Sequence, residues 1–404
     1  MSYREMIESM SDNMKDRCNG VLNNNEQIND SVRVMLKRRS SLAPNKPLQS
    51  GRNRKLILHL DIRNTILVAD SVTNVCVEHA LNSFLTGVTW GKDEDGEWKW
   101  ESDEVALKPP STDTKTYYKH LEQELVRTPA DRQELRLQTG DFTQQPIGRD
   151  FLPYFEKHME LLKWDFYFDS YRDKQLTMAG KDNKQYHYVI PSVYKMIHFL
   201  KAQNRDFAIV FRTYGLDAPN VLSSLAYGLK GNHPGFPKTA KVPINLWTGR
   251  IARTADGTVN LETVKQNGDV IQKLTFERDI YRFLSNAEGI SAFKDDFLHW
   301  QNNSYNYKAG KPMWIDPTDQ TVHHIFFDDN FRSYEDDSII DFRLFEDGVL
   351  KRARGLNQSE ISRFEDMCLV QADLLESIEN EDYFINKLAT CEDNYSTYLK
   401  DRFI

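Results

Sequence analysis

Lys55-Leu-Ile-Leu-His-Leu-Asp61-Ile-Arg-Asn-Thr65-Ile-Leu-Val68 carries the strongest structural signal in this chain. From Leu56 to Leu60 every side chain but His59 is apolar, and polar sequence lies on both sides. So short a run cannot make a buried helix; it suits a strand covered on both faces of a parallel sheet. Asp61 comes next, where the chain would leave the sheet. Open α/β sheets bind ligands in the crevice beyond the carboxyl ends of their strands, so a carboxylate there is a candidate for chemistry.

The pattern recurs twice. Phe207-Ala-Ile-Val-Phe211 ends in Arg212-Thr213-Tyr214-Gly215, and His324-Ile-Phe-Phe327 ends in Asp328-Asp329-Asn330. As parallel strands of one sheet, the three runs would bring an Asp, a Thr and a pair of Asp to a single edge. That set offers a nucleophile or metal ligand, a hydroxyl donor and an acidic metal site.

At these residues the chain resembles the haloacid dehalogenase-like (HAD) superfamily of phosphatases and phosphotransferases. The family's first motif, a strand followed by Asp-x-Asp-x-Thr, stands here as Asp61-Ile62-Arg63-Asn64-Thr65. Thr213 matches the second motif, and Asp328 with Asp329 the fourth. The third is a single Lys or Arg upstream of the fourth, for which Lys308 and Lys311 are both candidates. The resemblance covers roughly half the chain and implies a Rossmann-like, doubly wound parallel sheet with an inserted mixed or helical cap. It divides the sequence into an N-terminal extension over 1–52, a core over 53–72 and 189–404, and a cap or flap over 73–188.

The resemblance also implies roles. Asp61 would be the nucleophile. Mg²⁺ would be held by Asp61, the Arg63 carbonyl, Asp328 and Asp329. Thr213, Arg212 and Asn64 would lie at the phosphate, and Lys308 or Lys311 would keep Asp61 ionised. One position departs from the pattern: Arg63 stands where the family has its general acid and base. A guanidinium stays protonated to a pKa above about 12 and can do neither job. Two readings follow. One is a Mg²⁺-dependent phosphohydrolase working through an aspartyl-phosphate, weakened or specialised by Arg63. The other is a catalytically silent fold that binds a phosphorylated small molecule or phosphoprotein. Non-phosphate chemistry such as dehalogenation would keep the nucleophile without needing the acidic pair.

Composition narrows the setting. The 404 residues carry 52 basic and 60 acidic side chains, a net charge of −8 that disfavours nucleic-acid binding by the whole chain. Cys18, Cys76, Cys368 and Cys391 are far apart and form no Cys-x-x-Cys motif, which argues against structural zinc and suits a reducing compartment. The N-terminus lacks the apolar core of a signal peptide, and no apolar run approaches the ~20 residues that span a bilayer. The expectation is a soluble, cytoplasmic protein; oligomeric state is not legible.

Other segments are read by periodicity. The basic run Lys37-Arg38-Arg39-Ser40-Ser41 reads as solvated linker or helix, or as a kinase site at Ser41. Trp90, Trp98 and Trp100 surround an Asp95-Gly96 turn, which predicts a hairpin whose indoles either pack across strands or form a flap over the site. Val193, Met196, Ile197 and Leu200 predict a helix after Pro191, and a further helix begins at Asp217 or Ala218. Residues 234–264 read as strands or a hairpin, 274–300 as helix, and 304–314 as loop. Residues 339–345 read as the next strand of the main sheet, and 359–398 as helices.

Overall fold

The computed structural model describes residues 54–68, 75–128, 131–239, 241–254, 256–336, 338–349 and 351–403. The basic run and Ser41 lie outside the described residues.

In chain order the strands are β1 (Lys55–Leu60), β2 (Trp90–Glu94), β3 (Glu97–Trp100), β4 (Lys115–Thr116), β5 (Thr177–Ala179), β6 (Gln185–His187), β7 (Phe207–Thr213) and β8 (Gly249–Arg253). There follow β9 (Val259–Val264), β10 (Val270–Leu274), β11 (Gly289–Asp295), β12 (Lys311–Ile315), β13 (Val322–Asp328), β14 (Ile340–Leu344), β15 (Arg354–Gly355) and β16 (Leu369–Gln371). Eight of them form one sheet in the order β10-β9-β8-β11-β7-β1-β13-β16. From β8 to β16 every neighbouring pair is parallel; β9 and β10 extend the far edge antiparallel. β1 sits between β7 and β13, so the three apolar runs are adjacent and their carboxyl ends share an edge.

Alternation along β1 explains its burial. Leu56, Leu58 and Leu60 belong to the apolar cluster built with Val193, Ile197 and Leu200 of helix Pro191–Ala202 and with Leu222 and Leu225 of helix Ala218–Tyr227. Ile57 points to the other face, into a cluster with Ile280 and Leu284 of helix Glu277–Ser285. Helices thus cover both faces, which is why the strand reads as a continuous apolar run. His59 is accommodated inside the core because its Nε2 meets His324 Nδ1 at 3.1 Å, and His324 Nε2 meets the Ser285 hydroxyl at 2.9 Å.

Four expectations are corrected. Residues 274–300 contain β11, an interior strand, between two helices. Its sequence Gly-Ile-Ser-Ala-Phe-Lys-Asp breaks the apolar run with Ser291 and Lys294, so the neighbouring helical periodicity masks it. Residues 304–314 are not all loop, since β12 begins at Lys311. Pro312 is tolerated because β12 is an edge strand of a separate sheet, β12-β14-β15. β14 therefore belongs to that side sheet, and the strand beside β13 is β16, hidden in a stretch read as helical.

The insertion contains the expected hairpin, with Asp95 at φ 54° and Gly96 at φ 82° making its turn. The indoles of Trp98 and Trp100 pack on each other and on Tyr117, and Trp100 also meets Phe142 and Phe151. The two half-buried indoles thus sit side by side on one strand and pack against helical segments of the same stretch. The apolar residues of the insertion, among them Leu81, Leu85, Phe142 and Phe151, join the same cluster as the β1 leucines. Among the described residues no helix is long and apolar enough to cross a membrane.

Candidate active site at the carboxyl edge of the sheet

Asp61 leaves β1 with its backbone amide still donating to the Phe327 carbonyl at 2.9 Å, which fixes it against the end of β13. The chain then turns tightly. Ile66 and Leu67 amides both donate to the Ile62 carbonyl, and Asn64 takes φ 56°, a conformation that Asn tolerates better than most residues. Thr65 is buried inside this turn, which agrees with a role in shaping it.

Lys311 organises the acids. Its ammonium is buried and donates to Asp61 Oδ1 at 2.5 Å, to Asp328 Oδ2 at 2.7 Å and to the Arg212 carbonyl at 3.3 Å. Of the two candidate lysines, then, Lys311 meets the nucleophile candidate. Lys308 is exposed, with Nζ 5.7 Å from the Tyr307 ring centre. Gly310 allows the entry of β12, since a Cβ there would lie 2.1 Å from the Ile339 carbonyl oxygen.

Asp61, Asp328 and Asp329 each offer an oxygen within 4.8 Å of the others. Asn64 Nδ2 donates to Asp329 Oδ2 at 3.1 Å, and Asn330 holds both acids, its amide on Asp328 Oδ1 at 3.0 Å and its side chain on Asp329 Oδ1 at 3.3 Å. Crowding of like charge shows in the ionisation. Burial, opposed by Lys311 and reinforced by Asp328, pushes Asp61 up to about 7. Asp329 is pushed well above the carboxylate range by loss of hydration, then by Asp328 and Asp61. Lys311 is raised by its two carboxylates against the effect of burial. The donor set is all oxygen and over-supplied with negative charge, which fits a hard divalent cation.

The second strand supplies Thr213. Its hydroxyl oxygen accepts from the Gly215 amide at 2.9 Å and keeps its own proton to donate. Arg63 leans toward this loop, with Nε 3.4 Å from Asp217 Oδ2; the arginine side chain is 43% exposed and the aspartate fully buried. Arg212, expected at the phosphate, is instead a strut. Its buried guanidinium binds Asp295 through two bonds of 2.9 and 2.5 Å and donates to the Pro312 carbonyl at 3.0 Å. It thereby ties β7 and β11 to the strand that carries Lys311. Asn64, also expected at the phosphate, spends its side-chain amide on Asp329.

Sequence reasoning missed Asp217, Asn330 and Asp295. Asn330 directly follows the acidic pair and could have been read from adjacency. Asp217 lies in the turn after Thr213, where it read only as a helix start. Asp295 ends the strand that went unrecognised. Comparison with protein-family models, with curated proteins and with solved structures returned no match for this chain.

Proposed function

We propose that the chain is a HAD-like, Mg²⁺-dependent phosphohydrolase that works through an aspartyl-phosphate on Asp61 and is specialised for substrates with good leaving groups. The observation that carries this reading is Lys311 bridging Asp61 and Asp328 at the ends of adjacent parallel strands, with Asp329 beside them. The order β11-β7-β1-β13-β16 also supports it, because the chain reverses direction across the sheet at β1, where ligands of such sheets bind.

Asp61, Asp328 and Asp329 would hold Mg²⁺. When bound, the ion would screen a phosphate dianion from the attacking carboxylate and lower the pKa of Asp61. Lys311 keeps Asp61 in place and favours its ionised form. The Thr213 hydroxyl is free to donate to a phosphate oxygen. Arg63 cannot protonate the departing oxygen, but its fixed charge can stabilise an oxygen that leaves as an anion. Asp217, held beside it, is a carboxylate able to accept a proton from water in the second step. Substrates would be phosphorylated small molecules or phosphoproteins with acidic leaving groups.

A silent phosphate-binding fold is the second reading, favoured by the Arg63–Asp217 pair in the place of a general acid. Hydrolysis of an aryl phosphate with and without Mg²⁺ separates the two. The enzyme reading expects Mg²⁺-dependent turnover that Asp61→Asn abolishes. No turnover in the wild type or in Arg63→Asp, together with no Mg²⁺ binding by calorimetry, leaves the silent reading.

A further inference from the structure

The amino edge of the sheet, opposite the acids, carries a cavity. It measures about 740 Å³, within the range of small-molecule pockets. The floor is apolar, made by Leu229, Val242 and Ile244, and Leu246 stands at its mouth, 40% exposed. Lys230, Lys238 and Lys241 are exposed around the rim. Among the described residues none of these lysines has an ion-pair partner, unlike Arg250 and Arg253 further along, which reach Glu262 and Asp341. Residues 218–255 contain no Asp or Glu at all, in a chain whose net charge is −8. Three unpaired cations over an apolar floor form a local field opposite in sign to that of the molecule.

The cavity is built, not a gap between loose loops. The Thr239 amide donates to the Leu229 carbonyl at 3.0 Å, and the Thr239 hydroxyl lies 3.0 Å from His198 Nε2. Ile244 pairs with Ile290 of β11. The Ile290 amide donates to the Pro243 carbonyl, and the Asn245 amide to the Ile290 carbonyl, both at 2.8 Å. Gly289 permits that approach, at φ 66° and with space for a Cβ denied by the Pro243 carbonyl oxygen 2.1 Å away. Since β11 runs from Gly289 to Asp295, the cavity lies roughly 20 Å of strand from the acid edge, at ~3.3 Å per residue.

We propose that this cavity is a binding site for a small anionic amphiphile, a molecule with an acyl or aryl body and one carboxylate, phosphate or sulfonate head. The body would lie on Leu229, Val242 and Ile244 and the head among the three lysines. An uncharged apolar ligand would leave the cationic rim unused. A bare inorganic anion would leave the floor wet.

The test uses the full chain and the fluorescent dye anilinonaphthalene sulfonate. Saturable single-site binding is expected, weakened about tenfold or more by Lys230→Glu, Lys238→Glu and Lys241→Glu together, since loss of ~1.4 kcal/mol is tenfold in Kd. Added salt should weaken it, and decanoate should displace the dye where decanol and inorganic phosphate at equal concentration do not. Leu246→Asp, a change at an exposed position, should also weaken binding, and Lys174→Glu, an exposed lysine elsewhere, should not. The proposal falls if the folded protein binds no dye, if the triple variant with unchanged circular dichroism binds as well as wild type, or if decanol or phosphate displaces as well as decanoate. Should the triple variant fail to fold, the Leu246→Asp and Lys174→Glu pair and the competition series decide alone.

Discussion

Two basic side chains stand at the acid edge, and each makes an expectation. Lys311 is the counter-charge for two carboxylates in a buried setting. Lys311→Met should destabilise the fold by about 3–5 kcal/mol, the usual consequence of leaving buried charge uncompensated, read by urea unfolding. Mg²⁺ should raise the melting temperature of that variant more than that of the wild type, because the ion would replace part of the lost charge. Arg63 is the other. If only the missing acid limits turnover, Arg63→Asp should raise kcat on an aryl phosphate by ~10²–10⁴, and an unchanged rate would locate the limit elsewhere. At this scale the sequence was most informative. Asp61, Thr213, Asp328 and Asp329 were each legible because a short apolar run delivered them, and Lys311 was one of two candidates. Arg212 misled for the opposite reason. Nothing in a linear string reveals that a guanidinium beside Thr213 is claimed by Asp295, 83 positions on.

Ion pairs and a shared apolar cluster tie the stretch between β1 and β7 to its neighbours. Lys119 pairs with Glu335 at 2.6 Å and Lys108 with Glu365 at 2.7 Å, both reaching from the insertion to segments near the acid edge. The Tyr334 hydroxyl donates to the Leu107 carbonyl. With a shared apolar cluster beneath, these contacts hold the insertion down, and partly exposed pairs of this kind contribute only ~1 kcal/mol each. Lys119→Ala is therefore expected to change stability by less than about 1 kcal/mol while increasing protease cleavage in the insertion, read by limited proteolysis. Elements with clean periodicity, such as Pro191–Ala202 and the Trp hairpin, could be placed from sequence alone. β11, β12 and β16 could not. One is broken by the half-buried polar residues Ser291 and Lys294, one carries a proline, and the last spans only Leu369–Gln371.

Across the whole molecule, buried histidines weaken the fold as pH falls, against the opposite contribution of Asp61 and Asp329, whose raised carboxyls take up protons in the native state first. Burial depresses both His323 and His324 to about 3, from an unfolded value near 6.5. His323 gives Nε2 to the Met367 carbonyl and stacks on Tyr395; His324 lies between His59 and Ser285. A group with a depressed folded pKa contributes stability that is complete above its unfolded pKa. It is lost as pH falls, here from about 6.5 toward 3, because the unfolded chain takes up protons the native state refuses. Each histidine should remove ~1.4 kcal/mol per pH unit in that window. Urea unfolding between pH 7 and pH 5 checks the slope, and His323→Gln should flatten it. The side sheet has a different kind of reach. β12 is fastened through β14, whose Arg343 binds Glu277 at 3.0 Å, while Asp341 holds Arg253 at 2.6 Å. The ammonium at Asp61 is thus delivered by a side sheet that packs on the main one: Trp314 shares an apolar cluster with Ile57 and Val210, and Met313 and Phe342 share another with Phe326. Loss of Arg343 or Glu277 is therefore expected to loosen the side sheet and shift the cation beside Asp61, although neither residue touches the acids.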